Sequence, residues 1–399
     1  MGLLIKILSP IVLINVLIAL YSYALLPVLL YIRWIPESYA ERIVLIGILS
    51  NLLFTIGCLL SLVIKKKGGI ANEEKIALII NYESSGYSKI IFNLVYIIIG
   101  IYTLMIMQIS AGSVSYFLDN LDKRQIFMQG FTWLTAPIFL IKYIFFYEYY
   151  QHNRFTFNLL IKFIFALIIL SFFGRFFAVE FLAQLILIYS FISKKRPKLI
   201  YYLFMMLALV IIIFVYGLYR YYKGIVDYGQ FAGSFIDYLT VLDLNKVMMI
   251  VATNFFDGAD VLYKVLKTAD QIGYLYGISF IVAIFKIIPR SSAIVGDYLL
   301  AGFTKELIRN DIGQQIIGIL PELYANFSFF GLFLLIPLGY YLTSLYQKPK
   351  RSYSSIVLFS IIYINIIQLI RNGIAVFVTF FWVDILTYFL FQIIRKVRL

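Results

Sequence analysis

Four arginines and one glutamate in this sequence combine into a single chemistry. Arg290 closes the apolar stretch IVAIFKIIPRSS (281–292), Arg175 sits in SFFGRFFAVEF (171–181), Arg220 in YGLYRYYKG (216–224) and Arg371 in QLIRNGIAV (368–376). A guanidinium presents a planar fork of donors that matches a phosphate, so arginines grouped at one surface would hold an anionic, phosphorylated ligand. Each one alone reads equally well as a helix-end side chain snorkelling to lipid headgroups. Glu322 recurs with Gly318 and Asn326 at a spacing of four, which puts all three on one helical face. A carboxylate in that position can act as a base toward a hydroxyl. Pro321 marks a helix start, however, and a helix N-terminus favours the anion and lowers its basicity. Pairing of Glu322 with one of the arginines is therefore an equal reading, and Asp257, Asp260, Asp297 and Asp311 are alternative acids.

The elements that must position these residues are membrane helices. Of 399 residues, 62% are hydrophobic and 14% charged, whereas a soluble domain averages about a quarter charged. A window of about 19 residues finds apolar stretches near 8–32, 43–64, 90–109, 131–148, 156–173, 176–192, 199–219, 326–346, 353–370 and 374–394. The expected fold is all-α: a polytopic transmembrane helix bundle of about ten or more spans, one domain over 1–399. The start MGLLIK reads as a retained first helix, not a cleaved signal.

Basic clusters follow alternate spans: Lys65–Lys67, then Lys194, Lys195, Arg196 and Lys198, then Lys348, Lys350 and Arg351, and finally Arg395, Lys396 and Arg398. They share one side if both termini are cytoplasmic, and cytoplasmic positions of this kind account for roughly half of the basic residues without nucleic acid. The segments 110–129 and 220–325 then face outward, together with the four arginines. The long outer loop contains apolar patches such as YLYGISFIVAIF (274–285), too short to span and suited to amphipathic or re-entrant helices. No internal repeat is evident, which disfavours an inverted-repeat transporter. The single cysteine, Cys58, and single histidine, His152, exclude a disulfide framework and give no basis for a zinc site. His152 falls at a cytoplasmic turn. Glu180 and Asp384 lie within spans, where an ionisable group is costly, and pairing with an arginine is expected.

Two stretches give a family resemblance. GYLYGISFIVAIFKIIPRSS (273–292) resembles the G-x-S/T and I-P-R segment of bacterial O-antigen polymerases, the Wzy family, and GILPELYANFSFFGLFLLIPLGY (318–340) resembles that family's E-x-Y-x-N-F entry into a transmembrane helix. The Arg175 and Arg371 turns also match in position. After I-P-R the chain reads SSAIVGDY, departing from the family's Trp-Pro-x-Lys-Pro-like continuation, and the first 160 residues are similar only in hydropathy.

The resemblance implies a metal-independent glycosyltransferase of the bacterial inner membrane that needs no cofactor. It would move a growing glycan from undecaprenyl pyrophosphate to the sugar of a new lipid-linked repeat unit at the periplasmic face. A chain-length regulator and a flippase are the expected protein partners. Arg290, Arg371 and Arg175 would stabilise the leaving pyrophosphate, with Glu322 as the base. Arg220, Lys286, Tyr276, Asn326 and Tyr324 would contact substrate. An O-antigen ligase would bring a periplasmic histidine that this chain lacks, and a flippase is the main non-enzyme alternative. On this topology, cysteines introduced at Asp257 or Asp311 in a Cys58→Ala background should label from outside the cell. Labelling at Lys195 instead would reverse the orientation.

Overall fold

The structure, a computed structural model, describes residues 9–24, 26–31, 35–67, 86–113, 135–152, 156–173, 175–192, 231–243, 258–285, 318–347 and 353–396, with isolated positions between 215 and 247. Every described element is helical. In chain order these are α1 (Pro10–Ser22), α2 (Leu26–Tyr31), α3 (Glu37–Lys67), α4 (Gly86–Ala111), α5 (Ala136–His152), α6 (Phe157–Phe173), α7 (Arg175–Ile192), α8 (Phe235–Thr240), α9 (Gly258–Ile272), α10 (Ile278–Phe285) and α11 (Ile319–Phe327). A 3₁₀ segment, Ser328–Leu334, leads into α12 (Leu335–Gln347).

The last helical stretch, Tyr353–Lys396, is two helices, because Gly373 inside it has φ 69° and ψ 178°. Only glycine adopts that conformation without strain. Asn365 meets Asp384 across the turn, and the Tyr388 hydroxyl reaches the Ser354 carbonyl. The halves α13 (353–372) and α14 (374–396) are therefore an antiparallel hairpin, as the Asn372-Gly373 pair leads one to expect.

Among the described residues, five helical stretches are long and apolar enough to cross a membrane: Pro10–Leu30, Glu37–Ile64, Ile90–Ile109, Ile319–Gln347 and Tyr353–Ile370. Phe157–Phe173, Phe177–Phe191 and Phe380–Ile394 are apolar but shorter. The expected stretch 199–219 lies almost wholly outside the described residues. Leu45, Ile48, Leu52 and Ile56 on α3, with Ile90, Leu94, Ile97, Ile98 and Ile101 on α4, are exposed. Apolar ridges of this kind suit acyl chains, as in a membrane protein.

Side-chain pairings fix the helix directions. Asn15 bonds Thr55 while a Cβ on Gly47 would strike Ser22, so α1 runs antiparallel to α3. Arg42 reaches Tyr324 near the start of the Ile319–Gln347 stretch, and Cys58 reaches Gly339 further along, so α3 runs parallel to that stretch. Phe191 packs edge-on against Tyr346 and Phe359, and Phe177 against Phe380. The C-terminal ends of α3, α7, α12 and α14 thus share one end of the bundle with the start of α13. The Gly373 turn, Arg42 and the start of α7 lie at the other. His152, exposed at the end of α5, sits at the first end.

Two apolar cores result. One joins α1, α2, α3, α9, α11 and α12, the other α4, α5, α6 and α7, and the α13–α14 hairpin supplies residues to both. The short helix α8 carries a capping box: Asp237 N–H donates to Ser234 Oγ at 3.2 Å and Ser234 N–H to Asp237 Oδ2 at 2.8 Å. The Ser234 hydroxyl and amide hold the Asp237 carboxyl below the usual carboxylate range. The α3–α12 crossing is a close one, with a glycine on each helix against the backbone of the other. A Cβ on Gly57 would collide with the Ile336 carbonyl, and one on Gly339 with the Phe54 carbonyl. Such small-residue contacts let backbones approach where lipid offers no hydrophobic drive. Gly57→Ala should therefore cost about 1–3 kcal/mol, lowering the unfolding temperature in detergent by several degrees. Leu52→Ala on the exposed face should leave it nearly unchanged, and equal losses would rule out the close crossing.

Candidate functional site

The site is built around α11, a helix of nine residues. A helix leaves its last carbonyls without internal partners, and here a loop supplies the donors. Leu275 N–H donates to Ala325 O at 2.9 Å and Tyr276 N–H to Asn326 O at 3.0 Å. Gly277 N–H donates to Asn326 Oδ1 at 2.9 Å. Delivering three successive amides needs a tight bend. Gly273 and Gly277 have φ 83° and 88°, and Tyr276 has φ 51°, uncommon for a bulky residue. The Tyr276 ring is 78% exposed at the rim.

Beyond this loop, Ser279 at the start of α10 closes the network. Its hydroxyl donates to Glu322 Oε1 at 2.9 Å and accepts from Asn326 Nδ2 at 2.7 Å. Asn326 Nδ2 also reaches the Glu322 carbonyl at 2.7 Å. The other carboxylate oxygen, Glu322 Oε2, accepts the Ile374 N–H at 2.7 Å. Glu322 thus caps the N-terminus of α14 from another helix, immediately after the Arg371-Asn372-Gly373 turn. Glu322 and Asn326 are both buried, and the spacing of four does place them on one face. A donor on each oxygen stabilises the carboxylate anion and weakens it as a base. The direct effect of the arrangement is to hold the turn that carries Arg371 against α11.

On the other side of α11, Tyr324 is buried and accepts a hydrogen bond from Arg42 Nη2 at 2.8 Å. Arg42 also forks onto Asp270, Nη1 to Oδ2 at 2.6 Å and Nη2 to Oδ1 at 3.0 Å. The Tyr274 ring packs edge-on against Tyr324, centroids 5.9 Å apart. One arginine from α3 therefore fixes α9 and α11 at this end of the bundle. Arg42 is absent from the sequence-derived site, although it lies near the start of the span Glu37–Ile64, the same helix-end position that singled out the other four.

Of the sequence-derived site residues, the structure brings Tyr276, Glu322, Tyr324 and Asn326 together. Arg175 and Arg371 have their backbones placed at helix ends on this same end of the bundle, while their side chains lie outside the description. Arg220, Lys286 and Arg290 lie outside the described residues, as do Asp257, Asp297 and Asp311. Asp260 is on α9, where it pairs with Lys264 at 2.9 Å.

One expectation is corrected. The intramembrane acids Glu180 and Asp384 do not take an arginine as their common partner. Lys142 on α5 lies 2.6 Å from Glu180 Oε1 and also pairs with Asp384. A lysine within an apolar run, IFLIKYIFF, is the sequence signal that would have found this.

Comparison with protein-family models, curated proteins and solved structures gives no match. The class of the protein is set by its helices alone: an all-helical chain with membrane-spanning character.

Removing Asn326 should release the loop. Asn326→Ala loses bonds to Gly277, Ser279 and the Glu322 carbonyl, and buried groups left unpaired cost about 1–3 kcal/mol each. Limited proteolysis at 273–277 should quicken while cleavage elsewhere stays constant. Unchanged protection of that loop would contradict the assignment.

Proposed function

We propose that this chain polymerises oligosaccharide repeat units carried on a lipid pyrophosphate in the bacterial inner membrane. In this reading about ten spans cross the membrane, both termini are cytoplasmic, and 220–325 faces the periplasm. The growing glycan passes from its undecaprenyl pyrophosphate to the sugar of a newly delivered lipid-linked unit. The observation that carries the reading is convergence. The two stretches that resemble O-antigen polymerases, around Ser279 and Glu322–Asn326, share one hydrogen-bonded cluster with the turn at Arg371–Ile374 that matches in position, at the end of the bundle away from the basic helix ends.

The chemistry depends on the bond that breaks. As sugar C1 separates from pyrophosphate, negative charge grows on the leaving oxygen and an oxocarbenium-like centre forms on the sugar. Arg290, Arg371 and Arg175 are assigned to that charge, where a preorganised donor contributes about 3–4 kcal/mol. Glu322, with both oxygens engaged by donors, serves to fix the Arg371 turn. Tyr276 at the rim, with Arg220 and Lys286, is assigned to substrate. Chain-length regulators and flippases are the partners this activity calls for.

Deletion of the gene, with gels of the surface polysaccharide, is the test. Loss of the ladder with single-unit caps retained is expected. Loss of every unit would replace the polymerase with a flippase or ligase. Within the active protein, Arg290→Lys keeps the charge but loses the fork and should clearly reduce polymerisation. Arg290→Ala should lower it about 10²–10³-fold at equal protein level, and full activity in the alanine variant would remove Arg290 from the mechanism.

A further inference from the structure

The bundle holds a second polar cluster, well away from the Glu322 network, at the meeting of α5, α7, α13 and α14. Lys142, Tyr143, Glu180, Gln184, Asn365 and Asp384 form it, and all six are buried. Asp384 is fully supplied with donors. Its Oδ1 accepts from Tyr143 at 2.7 Å and pairs with Lys142, and its Oδ2 accepts from Asn365 at 3.2 Å and Gln184 at 3.3 Å. Glu180 takes Lys142 at 2.6 Å and Gln184 at 2.8 Å, both on Oε1. Both carboxyl groups therefore gather on the same two donors, Lys142 and Gln184.

Two facts show that this cluster is short of hydrogen. Two carboxylates facing one ammonium leave a net negative charge in a buried apolar site, which is strongly unfavourable. Moreover, both amides turn their NH₂ groups onto the carboxylates, leaving Gln184 Oε1 and Asn365 Oδ1 buried with no partner. Two carboxyl groups crowded into one buried site cannot both ionise at little cost, as in carboxylate dyads.

We propose that Glu180 is a proton-binding site, holding a proton in the resting protein while Lys142 neutralises Asp384. The division follows from the donor count: Asp384 has four donors to support an anion, and Glu180 has fewer. Among the described residues, the titratable groups facing the pair are Lys142 and Tyr143 from α5, and Tyr143 in turn lies beside Tyr388 of α14 and receives on its carbonyl the hydroxyl of Tyr353. With the proton in place the cluster is neutral, and four helices meet without an unbalanced charge. Losing it adds one negative charge at their junction. The site is independent of the polymerase reading.

Infrared difference spectroscopy of the intact protein in lipid tests this directly. At neutral pH the wild type should show a protonated-carboxyl stretching band that shifts in heavy water and with isotope-labelled glutamate. Glu180→Gln, which mimics the protonated form, should abolish the band while the protein inserts and melts like the wild type. Asp384→Asn should abolish it as well, because Glu180 must then ionise to balance Lys142. A wild-type spectrum with no glutamate-sensitive band, or a band that survives Glu180→Gln, overturns the proposal. If neither variant inserts, the labelled wild type alone decides.

Discussion

The amide of Ile374 begins a helix directly after a sharp reversal, at the edge of an apolar bundle where no carbonyl of its own helix can take it. Glu322 takes it instead, and most of this end of the molecule depends on that bond. An N–H without a partner in hydrocarbon costs several kcal/mol, so the hairpin tip cannot drift from α11. In turn α11, like any helix, cannot satisfy its own last carbonyls, and the loop at 275–277 closes over them. Ser279 then sits where its hydroxyl bridges Glu322 and Asn326. Each part is held by backbone groups that another part leaves unsatisfied. The Arg371 turn is placed as a consequence.

The α13–α14 hairpin connects this site to the rest of the bundle. Its tip rests on Glu322, and its shafts carry Asn365 and Asp384 into the buried cluster around Lys142. On either side lie the two apolar cores, each stabilised by burial, with the Gly57–Gly339 crossing an instance of close packing in the first. The polar clusters contribute position more than net stability, since buried ion pairs seldom outweigh the cost of desolvating them. Arg42 performs the same service at the surface, tying α9 and α11 to the long helix α3.

Hydropathy and turn chemistry made much of this architecture legible. The Asn372-Gly373 reversal, the all-helical class and the shared face of Glu322 and Asn326 all come from local rules. Pairing between distant elements stayed hidden. Nothing local joins Ser279 to Glu322, 43 residues apart, or Arg42 to Tyr324, 282 residues apart. Lys142 was hidden for another reason. Arginines are the usual partners sought for buried acids such as Glu180 and Asp384, yet a lysine in an apolar run already required acids nearby. The break at Gly373 was visible in the sequence, but its cap, a glutamate from another helix, was not. Sequence spacing describes one helix at a time, whereas caps in a membrane bundle come from whichever helix lies alongside.

The central claim is that Glu322 ties the α10 segment and the α14 turn into one unit. A double-mutant cycle on Ser279→Ala and Glu322→Gln, read by thermal unfolding of the purified protein in detergent, measures that tie most directly. Residues in direct contact couple by about 0.5–3 kcal/mol. The double variant is predicted to be clearly less destabilised than the sum of the two singles, with Ser279→Ala adding little once Glu322 is changed. Losses that simply add would mean that the two side chains do not meet, and the site as built around Glu322 would fall with them.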